Sequence, residues 1–299
     1  MSDAPPQVGF WGLGNMGLPM ASRLLAAEIP VLGFDVSPAA RDRFAALGGT
    51  VLDDTRPIAV GLLILMLPNS DVVEQVLLGD GLVEALLPGT SVVDMSSSEP
   101  LRTQALAARL KDADLRFIDA PVSGGVTGAE NGTLAIMAGG TPDDVDAVSG
   151  VLAHFGRLTR VGPVGAGHAL KALNNLLSAT HLWATSEAML VGERFGLDPE
   201  IMLETINGSS GRSGSTQNKW PNFILPRGYD SGFGLQLMLK DMRIATDLAH
   251  RLGVPISLGD VVVSHWSRAA GELPTTADHT EVARYLENES RAATPDPAR

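Results

Sequence analysis

The chain has 299 residues, enough for one large domain or two ordinary ones. With 44% hydrophobic and 19% charged residues it has the balance of a soluble globular protein with a large core. A net charge of −12 argues against nucleic acid or an anionic membrane as the main partner, although a local basic pocket for an anionic ligand remains compatible with it. There is no cysteine, which removes disulfides, thiolate-bound zinc and thiol catalysis. The six histidines are scattered without an HExxH-type pair, so no metal site is expected. The opening MSDAPPQVGF has neither the basic start nor the apolar core of a signal peptide, and no apolar run is long enough to span a membrane. A cytoplasmic enzyme is the expectation.

Gln7–Trp11 is a short apolar run that reads as a buried strand. It leads into Gly12-Leu13-Gly14-Asn15-Met16-Gly17, which fits GxGxxG, and a helical pattern follows from Met16 to Ala27. Val31–Phe34 reads as a second strand with Asp35 at its end. Strand, glycine turn, helix, strand and acidic residue form the full context of a dinucleotide fingerprint. Gly12 permits the tight turn, Gly14 lets the backbone approach a pyrophosphate, and Gly17 lets helix and strand pack closely. The helix N-terminus offers free N–H groups and partial positive charge to phosphate. Asp35 is placed to accept from the ribose 2′-hydroxyl and to repel a 2′-phosphate, which favours NAD over NADP. Arg41 and Arg43 follow on a helix, where they either soften that preference or, as the favoured reading has it, form a solvated helix face.

The alternation of strand and helix continues. Leu62–Leu67 is a strand ending in Pro68, with a helix expected over Asp71–Leu78. Ser91–Asp94 is a strand that leads through Ser96 and Ser97 into a helix from Glu99 to Lys111. Both turns sit at carboxyl ends of strands, where open α/β sheets bind ligands, and both also read as ordinary capped turns. Arg116–Ala120 is a strand running into the loop Pro121–Gly128, whose glycines and hydroxyls suit either an anion nest or a hairpin connection. Leu134–Ala138 and Arg157–Val161 are further strands around a helix over Asp143–Phe155.

Strand signals stop at Gly162. Beyond it lie helices near Gly167–Phe195, Pro199–Ile206, Leu235–Leu252 and Ile256–Gly271, and a short one near Thr280–Glu287. The expected architecture is an α/β, doubly wound N-terminal domain of the Rossmann type over residues 1–163, followed by an all-α domain over 164–299. The tail from 288 to 299 reads as disordered. The loop 207–230, with Arg212, Lys219 and Trp220, is open to substrate or to a subunit contact. Arg212 reads equally as a surface arginine and as a receptor for a second anionic group on the substrate. In the long helix, Lys171 shares a face with the amides Asn174 and Asn175 inside an apolar run. That trio reads either as a polar entry turn or as a catalytic ammonium with amide helpers.

Four motifs in order, over nearly the whole length, resemble the β-hydroxyacid dehydrogenase family. GFWGLGNMGLPMA at 9–21 is similar to its cofactor signature and DAPVSGG at 119–125 to its substrate motif. Gly165-Ala166-Gly167 through Lys171, Asn174 and Asn175 is similar to its catalytic motif, and Lys240-Asp241 to its C-terminal motif. The resemblance implies that Lys171 is catalytic and that Asn175, with Asn174 beside it, positions the substrate. It implies a substrate carboxylate on Ser123, Gly124 and Gly125, with Phe233 near the substrate. Gly12, Leu13, Gly14, Asn15, Met16, Gly17, Asp35, Leu67, Pro68, Ser97 and Lys240 would contact NAD. Where the family often has a cofactor-binding asparagine this chain has Val72, and where it often has threonine this chain has Ser97.

The implied chemistry is hydride transfer between NAD and a small 3-hydroxy acid, or its semialdehyde in the reverse direction. A lysine serves as base or acid in such a step when desolvation or nearby positive charge brings its pKa toward neutrality. Imine reductases of this kind generally lack the lysine, as do non-catalytic dinucleotide-binding relatives, and the chain is short for a 6-phosphogluconate specialist. The long helix is apolar around much of its circumference, which predicts a homodimer or homotetramer joined through the C-terminal domains.

Overall fold

The computed structural model describes residues 7–52 and 58–292. The chain divides into two compact units, Met1–Lys171 and Ala172–Arg299.

The first unit is built on one sheet. Its strands are β1 (Val8–Trp11), β2 (Val31–Phe34), β3 (Thr50–Val51), β4 (Leu62–Leu65), β5 (Ser91–Asp94), β6 (Arg116–Asp119), β7 (Val122–Ser123), β8 (Leu134–Gly139) and β9 (Gly156–Gly162). The spatial order is β3-β2-β1-β4-β5-β6-β8-β7, with β9 paired to β8. From β3 to β6 every neighbour is parallel. β8 then runs antiparallel to β6 and β7. The order 3-2-1-4-5-6 is the doubly wound order, and it reverses direction between β1 and β4.

Successive strand side chains point to opposite faces, and the apolar runs use both. Val8, Phe10, Leu62, Ile64, Val93 and Ile118 enter one buried cluster with Met20, Leu24 and Phe155. Trp11, Leu63, Leu65, Val92 and Phe117 enter a second with Leu77, Leu106 and Leu110. Helices α1 (Gly17–Ala26), α2 (Pro38–Ala46), α3 (Ser70–Glu74), α4 (Leu82–Ala85), α5 (Pro100–Asp112), α6 (Gly125–Asn131) and α7 (Pro142–Leu152) complete the layers. Ser37, Asn69 and Thr141 cap α2, α3 and α7 through their side chains.

The second unit is helical. Its elements are α8 (Ala166–Phe195, whose first turns belong to the first unit), α9 (Pro199–Asn207), a wide π-helical segment Ser215–Ile224, α10 (Leu235–Arg251), α11 (Ser257–Glu272) and α12 (Glu281–Ala292). Trp183, Trp220, Trp266, Met242 and Tyr285 lie in its core. The Trp183 and Trp266 rings are 6.4 Å apart.

Four readings change. The stretch expected as a loop after β6 is ordered as β7 and α6, because Val122 and Ser123 pair with β8 before the glycines turn the chain into a helix. The helix expected over Asp71–Leu78 is α3 followed by a π-helical turn at Gln75–Gly79. The loop 207–230 contains the π-helical segment with Pro221 inside it, a residue that reads as a breaker in a sequence. The C-terminal helix runs on to Ala292, because Glu287 pairs with Arg227 and Arg291, and Arg194 donates to the Ser290 carbonyl at 2.7 Å. Of the tail expected to be disordered, 293–299 lies outside the described residues, as does the whole segment before Gln7.

The first compact unit runs to Lys171, past the expected boundary at 163. The Asp119 carboxylate explains this: it accepts the backbone N–H of Gly165 at 2.7 Å and of His168 at 2.9 Å, fastening the first turn of α8 to the end of β6.

Candidate active site

The glycine turn lies at the sheet's switch point, between the carboxyl ends of β1 and β4. Gly12 has a φ of +94°, and a Cβ there would run into the Met66 carbonyl. A Cβ at Gly17 would strike the Gly12 carbonyl. Those two glycines are fixed by the protein's own packing. Gly14 is different: a Cβ on it would meet nothing within 4 Å. The space beside it is open, which suits close approach of a ligand to the backbone. Met16 gives α1 no side-chain cap and its first turn carries no acidic residue, so the N–H groups around Asn15 and Met16 face outward uncompensated. Open space, free donors and a positive helix end fit a pyrophosphate.

Asp35 follows β2 and holds the turn. One carboxylate oxygen accepts the Leu13 N–H at 2.7 Å and the other the Ser37 N–H at 2.8 Å, while Arg41 donates to the Asp35 carbonyl at 2.8 Å. A carboxylate has about four acceptor positions, so capacity for a ribose hydroxyl is left. Leu67 follows β4, and its N–H donates to Ser96 Oγ at 2.9 Å. Ser96 N–H and Ser98 Oγ donate to the buried Asp94, each at 2.9 Å. Asp94 and Ser96 thus brace the turns carrying Leu67, Pro68 and half-exposed Ser97. Reading the sequence placed Ser96 in a turn open to ligand and missed Asp94 beneath it, since a strand-end aspartate looks like any turn former. Val72 N–H donates to the Asn69 cap at 3.0 Å.

Ser123 sits on β7, half-exposed. Gly124 and Gly125 have φ of +139° and +65°, and a Cβ on Gly125 would meet open space. Gly124 gives α6 no side-chain cap, so donors here face outward too.

On α8, a Cβ at Gly167 would strike the Met137 carbonyl and crowd Asp119, so this face of the helix lies on the strand ends. Lys171 is one turn further along the same face and is 7% exposed. Three residues earlier on the helix, His168 joins a buried polar cluster. His168 Nδ1 shares a hydrogen bond with Thr103 Oγ1 at 2.8 Å, and its Nε2 lies 3.7 Å from Asp94. Burial raises the Asp119 pKa above the usual carboxylate value, against the pull of His168 and of the N–H groups of Gly165 and His168.

In the second unit, Asn175 Nδ2 donates to Asp241 Oδ2 at 2.6 Å, and Asn174 Nδ2 donates to Asn175 Oδ1 at 3.2 Å. Lys240 pairs with the other oxygen of Asp241 at 3.1 Å. The Asp278 carboxylate gathers Ser231 Oγ at 2.8 Å, Gly232 N–H at 2.9 Å, Phe233 N–H at 3.1 Å and Thr280 N–H at 2.9 Å, fixing the turn that presents Phe233. Phe233 stands edge-on to His279 at 5.8 Å. Lys219 donates to Ser178 Oγ at 2.6 Å. Arg212 is exposed.

The fold and these residues define a nucleotide-binding oxidoreductase. The family model described as the NAD binding domain of 6-phosphogluconate dehydrogenase matches residues 7–165. That of the NAD-binding domain of NADP-dependent 3-hydroxyisobutyrate dehydrogenase matches 165–286. The chain is 37% identical over 256 residues to a 2-(hydroxymethyl)glutarate dehydrogenase of Eubacterium barkeri, covering 84% of this chain and 85% of that one. It is 35% identical over 292 residues to the human mitochondrial 3-hydroxyisobutyrate dehydrogenase, covering 94% and 87%. A solved 3-hydroxyisobutyrate dehydrogenase of Mycobacterium tuberculosis with L-serine superposes with a TM-score of 0.88 at 30% identity, over 94% of this chain and 99% of that one. The chain belongs to the β-hydroxyacid dehydrogenase family, and its first unit is an NAD-binding domain.

Proposed function

We propose that the protein is an NAD-dependent dehydrogenase that oxidises the hydroxyl carbon of a small 3-hydroxy acid to the semialdehyde. The observation that carries this is on α8. Lys171 and Asn175 are one helical turn apart on one face, and Asp241 fixes the Asn175 amide. A carboxylate only accepts, so the Asn175 nitrogen must point to Asp241. The remaining amide N–H is then held in one direction, toward the oxygen of the reacting carbon. The names of the relatives, dehydrogenases of 3-hydroxyisobutyrate and of 2-(hydroxymethyl)glutarate, support the substrate class.

Bound NAD supplies the hydride acceptor. Lys171 takes the hydroxyl proton as the carbon–hydrogen bond gives up its electron pair and the carbonyl forms. Asn175, with Asn174 beside it, orients the reacting oxygen. Ser123 and the N–H groups of Gly124 and Gly125 receive the substrate carboxylate, and Phe233 packs on the substrate's apolar part. The Gly12-Leu13-Gly14-Asn15-Met16-Gly17 turn receives the pyrophosphate, Asp35 the adenosine ribose, and Leu67, Pro68, Ser97 and Lys240 the rest of the cofactor. In the reverse direction the same groups reduce a semialdehyde, with Lys171 giving the proton back.

The cofactor preference is NAD over NADP, on the charge of Asp35. The protein is a homodimer or homotetramer through its helical unit, where Leu173, Leu177, Val191, Ile201, Leu258 and Val261 are exposed. It acts in the cytoplasm, since a cysteine-free chain asks for no oxidising compartment. Among the described residues no helix is long and apolar enough to cross a membrane. The deciding experiment is a panel of 3-hydroxy acids and their semialdehydes assayed with NAD(H) and NADP(H). Turnover of at least one pair is expected, and no turnover of any pair overturns the reading.

A further inference from the structure

We propose that Lys219 is the receptor for a second anionic group on the substrate, so that the enzyme prefers 3-hydroxy acids carrying a distal carboxylate. This rests on the dehydrogenase reading above. The face of α8 that carries Lys171 and Asn175 continues to Ser178, seven residues beyond Lys171 and therefore back on the same side of the helix. Ser178 Oγ accepts from Lys219 Nζ at 2.6 Å. One stripe of α8 thus runs from the ammonium of Lys171 through two amides to a second ammonium.

Lys219 is mostly buried and forms no ion pair among the described residues. An ammonium has three donors, and Ser178 occupies one. The acidic group that influences it, Asp278, is saturated: its oxygens already accept from Ser231, Gly232, Phe233 and Thr280. His279 beside it brings no compensating charge, because an imidazole is either neutral or itself cationic, and Lys219 helps burial to lower its pKa while Asp278 pulls it up. Burial lowers the Lys219 pKa to about 8 against the pull of Asp278, the mark of a cation whose charge is incompletely compensated. A buried cation without a partner carboxylate, on the stripe assigned to the substrate, is suited to a ligand that brings its own. Arg212, which the sequence offered for a second anion, is exposed and lies off this stripe's contacts.

The probes are 2-(hydroxymethyl)glutarate and the same molecule with its distal carboxylate converted to a primary amide, which keeps the shape and removes the charge. Wild-type enzyme should favour the diacid in kcat/KM. In Lys219→Met that preference should shrink by about 10–100-fold, mostly through KM, because the distal carboxylate loses its partner. Lys219→Arg, which keeps the charge, should retain most of it. Titration calorimetry with glutarate gives a readout without turnover: binding to wild type and loss in Lys219→Met are expected. An equal preference in wild type and in a folded Lys219→Met overturns the proposal, as does turnover of the amide in preference to the diacid. If neither compound is oxidised, the glutarate titration decides alone: binding that is lost in Lys219→Met supports the proposal, and equal binding by both proteins overturns it, while the dehydrogenase reading stands or falls on the panel above.

Discussion

The Asn175 amide donates to Asp241 at 2.6 Å, so a carboxylate on α10 fixes the rotamer of an amide on α8. The pair is buried, and Asp241 is tied in turn to Lys240 at 3.1 Å. The role proposed for it is orientation, and that separates it from Lys171 experimentally.

Asp241→Asn should lower kcat with little change in NAD affinity, because an asparagine can present its own N–H to Asn175 and let the amide flip. A loss of about tenfold is expected, the scale of one hydrogen bond of about 1.4 kcal/mol. Stopped-flow hydride transfer together with a cofactor titration reads both quantities. An unchanged kcat would remove orientation as the role of the pair.

Lys171→Ala should reduce turnover by about 10²–10⁴-fold, the usual contribution of a general acid–base group. Lys171→Arg should rescue poorly, because a guanidinium keeps the charge and does not give up its proton near neutral pH. The glycine turn and Asp35 belong to other elements than the helix carrying Lys171, so NAD binding, followed by fluorescence, should persist in both. Full activity in a folded, NAD-binding Lys171→Ala protein would contradict the mechanism.

Asp35→Ser should narrow the preference for NAD over NADP, since the carboxylate that faces a 2′-phosphate is gone. It also releases the Leu13 N–H. Efficiency with NAD should therefore fall as efficiency with NADP rises, measured as the two kcat/KM values. Equal use of both cofactors by the unmodified enzyme would refute the assignment of Asp35.

Lys219 gives a pH prediction with a definite sign. Its folded value of about 8 lies below the ordinary lysine value of 10.5. Between those values the unfolded chain binds more protons than the folded one, so this group's contribution to stability rises with pH across that window. The difference in urea midpoint between wild type and Lys219→Met should move in favour of wild type from pH 7.5 to pH 10.5. Movement the other way would show that the group is not buried as a cation.

The exposed apolar side chains of the helical unit predict a dimer or tetramer by light scattering at micromolar concentration. Leu173→Glu together with Leu177→Glu, on the stripe of α8 that turns away from Lys171 and Asn175, should weaken it. A wild-type monomer would contradict the assignment.

The doubly wound half was legible because its strands are buried on both faces. VGFW and LLIL are continuous apolar runs and SVVD carries a buried valine pair, and each is a strand within two residues of its expected bounds. What a sequence hides is geometry that depends on distant partners. Ser215–Ile224 forms a helix despite Pro221, and only its packing of Trp220 and Ile224 into the helical core explains why. Asp119 and Asp94 looked like strand residues and Ser96 like part of an ordinary turn; their partners lie 46, 4 and 29 residues away. Lys219 looked like one of several loop polars, because burial is invisible in a sequence.

The division between the two compact units falls between Lys171 and Ala172, inside a helix that runs unbroken from Ala166 to Phe195. A helix advances about 100° per residue, so it transmits angle as well as distance. Adding one residue between Lys171 and Asn175 would turn the amide away from the lysine's face of the helix by more than a quarter of a circle. The spacing of four from lysine to asparagine is therefore a phase of the helix, which tolerates substitution between the two residues but no change of length.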